Sequence, residues 1–224
     1  RDEVAAGAPL PENHPANYVL TMCVSMSDPG MIVLPTHRLF RGVPAMTSSE
    51  LVQRLGDSFT ATDGGTGPQA AHALWGSIES DDQQESIGFY TAKDDRWTRV
   101  TLTDKGRHRL EELAREHSSD WCGLGVSILH RLAMDNLLGL ASLPKPMYVH
   151  SVDEVVHGLE KGDAVGRDAT GQMGQGGRFE LAALVMPATV DHVRAISEHQ
   201  ERMPAKSTYF YPKLLSGLVF NSLE

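Results

Sequence analysis

The stretch "ESIGFYTAKDDRWTRVTL", residues 85–102, decides the fold class. Two runs rich in β-branched and aromatic residues flank "KDD" in this stretch, which is the pattern of a β-hairpin. A second hairpin is predicted upstream, where "NYVLTMCVSMSD" (17–28) and "MIVLPTHRLF" (31–40) flank the turn signal "DPG". Successive hairpins predict a mostly antiparallel sheet.

Amphipathic segments outside the hairpins predict helices that cover this sheet. Thr47 with Glu50, and Ser151 with Glu154, have the spacing of helix-capping boxes. "VSILHRLAMDNLLGL" (126–140) is the most apolar of these segments, so we expect it to be the core helix, ending near Gly139. The sequence thus predicts an α+β fold with helices packed on a sheet built from hairpins. Further predicted elements are helices within 68–80, 105–117 and 189–203, strands within 147–151, 179–187, 207–214 and 217–223, and a mobile, glycine-rich surface loop at 162–178.

Composition limits the classes of partner. The chain has 224 residues and a formal net charge of −9, from 20 basic and 29 acidic residues. A field of this sign repels polyanions, so we do not expect this portion to bind nucleic acid, whereas a small anionic ligand stays open. No stretch approaches the ~18 consecutive apolar residues of a membrane helix, so we expect no membrane insertion.

Cysteine and histidine spacing bears on compartment and metal. Cys23 and Cys122 have neither the spacing of a zinc site nor the count of a disulfide framework, which favours a reducing cytoplasm. None of the ten histidines forms a metal-binding pair such as His-x-His, so no metal site is expected. Cys122 and His130 lie among leucines and isoleucine on one helical segment, where we expect Cys122 to be a core thiol and not a nucleophile.

The start of the chain suggests a longer protein. "RDEVAAG" (1–7) has the composition of a helix end, with Gly7 as its last residue and Pro9 shortly after it. We therefore expect residues 1–16 to be the tail of an upstream helix with a linker, and residues 17–224 to be a single α+β domain. On this interpretation the chain is the C-terminal portion of a longer protein.

Two polar clusters are candidates for a functional site. In an extended "KSTYFYPK" (206–213) the side chains alternate, so each face would carry a lysine and a hydroxyl, which are donors suited to phosphate or carboxylate. In "VLPTHRLF" (33–40), His37 could act as a general base and Arg38 could bind an anion. The alternatives are an ordinary edge strand for the first cluster, and a surface ion pair with a backbone-bonded histidine for the second. The candidate catalytic residues are His37, Arg38, Lys206 and Lys213, and the candidate substrate-binding residues are Thr36, Ser207, Thr208, Tyr209 and Tyr211.

Three motifs resemble one protein family. "VLPTHRLF", "VSILHRL…LLGL" and "MPAKSTYFYPKLLSGLV" are similar to segments of the family filed as domain of unknown function 1015, often labelled ParB-like or SpoOJ-like, and the resemblance runs from about Asn17 to Phe220. In that family a histidine-rich motif precedes the "RDE" with which this chain begins. The chain departs from the family pattern at Gly125, where relatives carry Asp, and at Ala205, where they carry a second proline. If that Asp is functional in relatives, its role is in doubt in this chain.

The resemblance implies a function class. Members of the ParB-like superfamily bind nucleotides, and one branch phosphorylates free serine. The leading hypothesis is therefore an ATP- or ADP-dependent small-molecule phosphotransferase working with Mg²⁺, in which Lys206, Lys213 and Arg38 stabilise the transferring phosphoryl group and His37 orients or deprotonates the acceptor. Two alternatives stay open: a non-catalytic ParB-like protein that binds nucleotide or nucleic acid, and a scaffold or dimerisation domain for the missing N-terminal portion.

Overall fold

The computed structural model describes residues 11–162 and 177–213, and the chain divides into two compact units. One unit comprises Arg1–Ile32 and Phe210–Glu224, and the other comprises Val33–Tyr209. The predicted helix end at 1–7, most of the glycine-rich loop and the strand at 217–223 lie outside the described residues. Strands β1 (Ile32–Leu34) and β8 (Tyr209–Tyr211) each include residues of both units.

The hairpin predicted for residues 17–40 is wrong. A 3₁₀ turn at Pro15–Asn17 is followed by residues 18–30, which contain no strand. Val19 and Leu20 in this segment are 82% and 75% exposed. High β-propensity forms a strand only where a neighbouring strand and a packing face are supplied, and the described residues supply neither here.

A six-stranded sheet organises the second unit, and every pairing in it is antiparallel. The strand order is β3-β5-β4-β7-β2-β6. The hairpin predicted from residues 85–102 is confirmed, since Phe89 pairs with Thr98 across it. The strands of this sheet are β2 (His37–Phe40), β3 (Phe59–Thr66), β4 (Ser86–Thr91), β5 (Arg96–Leu102), β6 (Met147–Val149) and β7 (Leu181–Val185).

Helices cover both faces of the sheet, which confirms the α+β fold. The capping boxes predicted at Thr47 and Ser151 are both present, and in the first of them the Glu50 N–H donates to Thr47 Oγ1 at 3.2 Å. The helices are α1 (Ser48–Leu55), α2 (Ala71–Asp81), α3 (Asp104–Leu113), α4 (Ser119–Cys122), α5 (Gly125–Ser127), a π-helix (Ile128–Leu137), α6 (Val152–Lys161) and α7 (Val190–Glu198), with short 3₁₀ turns at Gly56–Ser58 and Pro68–Ala70.

Two hydrophobic clusters form the core, one on each face of the sheet. On the first face, Phe89 and Val185 pack with residues of the π-helix and of α1 and α3. On the second face, Trp97 and Leu184 pack with residues of α2 and α6. Because helices lie on both sides, β4 and β7 are buried along their whole length, and for β7 the apolar run at 179–187 predicted this.

The core helix expected at residues 126–140 is present, but most of it is a π-helix. The Leu138 N–H donates to the carbonyl of Ala133, five residues earlier, at 2.9 Å. The segment ends at Gly139, whose φ of +70° is the left-handed conformation expected of a helix C-terminal glycine. Wide π-turns are rare and often accompany functional sites.

Arg41 links the residue after α6 to the residues that precede β7. Its guanidinium donates to the carbonyls of Gly162 and Gly177 at 2.7 and 3.2 Å, and it lies 4.2 Å from the ring centroid of Phe179. The two ends of the intervening segment are therefore held at one side chain.

None of the helices in the described ranges is both long and apolar enough to cross a membrane.

Candidate functional site

Strand β2 places His37 and Arg38 on opposite faces of the sheet, because successive side chains in a strand alternate. His37 is on the face of α2, where its ring contacts Trp75 edge-on with the centroids 4.6 Å apart. Arg38 is on the face of the π-helix, opposite Tyr148 of β6. The two residues therefore do not meet in one cavity.

His37 is buried and neutral. Its side chain is 0% exposed, and its Nδ1 accepts a hydrogen bond from the Val185 N–H at 3.3 Å. Burial, together with the nearby Arg38 and His150, lowers the pKa of His37 to about 3. A general base must reach its substrate, and a fully buried imidazole does not. The alternative considered from the sequence, a histidine bonded to the backbone, therefore describes His37 better.

Arg38 is a fully buried cation without a carboxylate partner among the described residues. Its side chain is 0% exposed, and its guanidinium donates to the carbonyl of Thr36 and, at 2.8 Å, to the carbonyl of Lys206. Its Nε is buried and has no hydrogen-bond partner in the described structure. Burial lowers the pKa of Arg38 to about 10, so the guanidinium is still charged at neutral pH. The surface ion pair considered from the sequence is absent there.

Residues Pro204–Ser207 form a tight turn, which we call the 204–207 turn. The Ser207 N–H and hydroxyl both donate to the Pro204 carbonyl, at 3.2 and 2.7 Å. Lys206 has a φ of +58°, a left-handed conformation that a lysine adopts at some cost. The extended strand predicted over 206–213 is therefore wrong at its start, since only Tyr209–Tyr211 is a strand.

The 204–207 turn forms one wall of a cavity of about 300 Å³, which we call the π-helix cavity. The remaining walls come from α4, α5, the π-helix and β6. The lining residues are Trp121, Val126, Ser127, His130, Arg131, Asp135, Tyr148, Pro204 and Ala205.

One arginine and one lysine side chain lie beside this cavity, both close to the Tyr148 ring. The Arg38 Cζ and the Lys206 Nζ are each 5.7 Å from the centroid of the Tyr148 ring. Lys206 also directly follows the lining residue Ala205. The structure thus brings together Arg38 and Lys206, two of the four predicted catalytic residues, at the wall of one cavity.

Polar groups on the helical side complete the π-helix cavity. The Ser127 hydroxyl is buried and has no hydrogen-bond partner in the described part of the chain. Burial, and then the charge of Arg38, lowers the pKa of His130 to about 4, so this imidazole is neutral at pH 7. Burial raises the pKa of Asp135 above its usual range, against the opposing effect of Arg131. Arg131 itself pairs with Glu116 at 3.2 Å.

The other predicted binding residues have different positions. Thr36 is buried and supplies a carbonyl to Arg38, and Ser207 is buried with its hydroxyl used inside the 204–207 turn. The Tyr209 ring packs on His150 at a tilt of 31°, with the centroids 3.7 Å apart. Thr208 is half-buried in the same segment. In the first unit, Tyr211 is exposed and the Lys213 ammonium lies 6.0 Å from the Phe210 ring centroid.

Sequence reasoning missed the helical side of the cavity. Ser127, Arg131 and Asp135 recur every four residues along the most apolar helix, which was the available signal. His130 lines the cavity and also packs near Phe40, with 6.3 Å between the ring centroids. Cys122 is buried, and burial raises the pKa of its thiol to about 11, as befits a core cysteine.

The two departures from the family pattern have structural explanations. A Cβ added at Gly125 would lie 2.9 Å from the carbonyl of Gln84, so an aspartate does not fit there without a shift of the backbone. Ala205 occupies the second position of the 204–207 turn, where proline is favoured in such turns, and alanine is accepted.

A larger polar groove of about 480 Å³ lies at the other end of the sheet, between β4, β5 and α3. Its two arginines are already paired with carboxylates, Arg99 with Asp81 and Arg107 with Glu85 at 2.9 Å. This groove therefore offers no uncompensated charge. Within residues 11–162 and 177–213, no group of three or more histidine, cysteine or acidic side chains is arranged to hold a metal ion.

Residues 1–127 match the model of the family described as "Protein of unknown function (DUF1015)". The match includes β2 with Arg38 and ends at Ser127, so "KSTYFYPK" lies beyond it. No curated protein and no solved structure matches the chain. Because the family model covers more than half of the 224 residues, the chain belongs to this family of unknown function, as its sequence motifs predicted.

Proposed function

We propose that the π-helix cavity binds a small anionic ligand, carrying a phosphate or a carboxylate, and that it does so as part of a small-molecule phosphotransferase. The observation that carries the proposal is the buried charge of Arg38, which no carboxylate of the described residues neutralises. Burying a charge is costly unless an opposite charge accompanies it, so a site of this kind is suited to a ligand that brings one.

The charges around the cavity support an anion. Arg38 and Lys206 contact the same wall at Tyr148, whereas Asp135 is the single carboxylate among the lining residues. The unpartnered hydroxyl of Ser127 could donate to the same anion. Arg38 is 0% exposed, so in this proposal its charge attracts the anion across the side chains that line the cavity. Direct contact requires that the Lys206 carbonyl first move away from the guanidinium.

The cavity fits a small molecule better than a nucleotide. Its volume of about 300 Å³ is at the lower end of the range for ligand pockets, and a single carboxylate is a poor holder of Mg²⁺. We therefore place the acceptor or its phosphorylated product in the cavity. The ATP or ADP and the Mg²⁺ of the proposed reaction are assigned to none of the described residues.

In this proposal His130 takes the role that the sequence suggested for His37. Its imidazole lines the cavity and is neutral at pH 7, so it can accept a hydrogen bond from an acceptor hydroxyl and orient it. Arg38 and Lys206 would stabilise charge on the phosphoryl group. Lys213 is not part of this assignment.

Calorimetric titration tests the proposal. Inorganic phosphate, acetate and phosphoserine are titrated into the 224-residue chain, into Arg38→Met and into Arg194→Met, whose guanidinium is on the surface of α7. We expect binding of at least one anion, weakened at least tenfold by Arg38→Met and unchanged by Arg194→Met. Equal affinities in all three proteins would refute a role for Arg38.

Further assays separate the alternatives. Turnover of ATP or ADP that depends on a hydroxylated acceptor such as serine supports a phosphotransferase, and anion binding without turnover supports a regulatory binding protein. Binding of an oligonucleotide with a steep salt dependence would indicate a nucleic-acid partner instead. A scaffold would bind none of these ligands, and substitution of Arg38 would change its stability alone.

A further inference from the structure

The walls of the π-helix cavity divide into a polar side and an apolar side. Ser127, His130, Arg131 and Asp135 are contributed by α5 and the π-helix. The other five lining residues are apolar or aromatic and come from α4, α5, β6 and the 204–207 turn: Trp121, Val126, Tyr148, Pro204 and Ala205.

The polar side has little unused capacity for hydrogen bonds. Arg131 is committed to Glu116 and to the Leu113 carbonyl, at 3.2 and 3.1 Å. Burial lowers the pKa of His130 and raises the pKa of Asp135, and both shifts favour the neutral form of the side chain. What remains is the Ser127 hydroxyl, the Lys206 ammonium and the buried positive charge of Arg38, and this set suits one anionic group and no more.

The apolar side would be poorly matched by a fully hydrophilic ligand. The indole of Trp121 is fixed by stacking on His117, with the centroids 3.9 Å apart and the rings nearly parallel. Val126 is buried. Covering such walls with hydrocarbon releases water and is favourable, whereas a sulfate-like or polyhydroxylated ion keeps its hydration shell and gains little from them.

Resting on the proposed anion site, we propose that the ligand is an amphipathic small anion: one phosphate or carboxylate group attached to a compact apolar body that packs on Trp121, Val126 and Ala205. The cavity of about 300 Å³ holds roughly ten non-hydrogen atoms, if each occupies about 30 Å³ as a water molecule does. This is the size of a short-chain or monocyclic acid or phosphate monoester.

A homologous ligand series tests this inference on the 224-residue chain. Straight-chain carboxylates from acetate to hexanoate, and alkyl phosphates from methyl to butyl, are titrated calorimetrically at one pH and salt concentration. We expect affinity to rise about fourfold for each added methylene until the cavity is full. The two arms at equal chain length show whether carboxylate or phosphate is the preferred anionic group.

A matched pair of variants locates the apolar body. Ala205→Phe narrows the cavity at an exposed turn position, and Ala141→Phe adds the same group at an exposed position that does not line it. We expect Ala205→Phe to weaken hexanoate at least tenfold more than acetate, and Ala141→Phe to leave the ratio between these ligands unchanged. A ratio that Ala205→Phe does not alter overturns the inference.

The outcomes separate this inference from the proposed function. Affinities that are flat along the series, or tightest for inorganic phosphate, overturn the amphipathic ligand. If the anions still bind and Arg38→Met still weakens their binding, the proposed anion site stands although its ligand is not amphipathic. Absence of binding for every anion in both series overturns the inference and the anion site together.

Discussion

Replacing Arg38 with methionine should separate stability from ligand binding. Burial lowers the pKa of Arg38 to about 10, and a drop of that size corresponds to about 3 kcal/mol against the charged form. Methionine fills a similar volume without that cost. The variant loses two hydrogen bonds from a charged donor, to the carbonyls of Thr36 and Lys206, at about 1.5 kcal/mol each. The gain and the loss are of similar size, so the free energy of unfolding should stay about the same.

Binding, in contrast to stability, should fall. An anion that relies on the buried guanidinium loses its main electrostatic partner in Arg38→Met, and we expect its affinity to fall at least tenfold, about 1.4 kcal/mol. Urea unfolding followed by tryptophan fluorescence gives the stability, and calorimetric titration of the same preparation gives the affinity. A buried residue that served packing alone would show the reverse pattern.

The result that refutes this reasoning is a large loss of stability. If Arg38→Met unfolds at a free energy lower by about 3 kcal/mol or more, the guanidinium has a structural partner and its charge is compensated. Arg38→Lys serves as the second variant, because a lysine keeps the charge but cannot donate to two carbonyls in the same fork geometry. Recovery of anion binding in Arg38→Lys would show that charge, rather than shape, is what the site needs.

Three further predictions concern acid sensitivity, the family pattern and the cavity wall. Burial lowers the pKa of His37 in the folded state, so protonation of this residue in the unfolded chain should reduce the free energy of unfolding as pH falls from about 6.5, by about 3 kcal/mol at pH 4. In His37→Phe, the urea midpoints should fall less steeply over this pH range. Equal slopes in the two proteins would contradict a buried, neutral His37. Gly125→Asp should lower the melting temperature without strengthening phosphate binding, because its Cβ would meet the Gln84 carbonyl, and a variant as stable as the parent would contradict this. Glu201→Ala should weaken anion binding severalfold, because the Glu201 carboxylate fixes the chain just before the 204–207 turn by accepting a hydrogen bond from the Ser118 N–H at 2.7 Å. Binding equal to that of the parent would show that this anchor is not needed.

The fold was largely predictable because its signals are local. The hairpin at 85–102 and both capping boxes depend on side chains within a few residues of one another, and all three are present. The strand expected from residue 17 is absent because its formation depends on contacts that are not local. Its composition carries no information about whether a partner strand exists, and pairing is a property of the whole sheet.

The candidate site was only partly predictable, because it depends on which face of the sheet each residue occupies. Sequence reasoning treated His37 and Arg38 as one cluster, yet neighbouring residues in a strand point apart. It could not foresee that Lys206, 168 positions after Arg38, would offer its carbonyl to that guanidinium. The π-helix was equally hidden, since the apolar pattern of residues 126–140 does not distinguish its wider turns from those of an α-helix.

Arg41 links the end of α6 to the residues that lead into β7, because its guanidinium donates to the carbonyls of both Gly162 and Gly177. These two glycines are fifteen positions apart in the sequence. One side chain thus joins two elements that the chain itself connects only at a distance, and a substitution at position 41 would release both of them together.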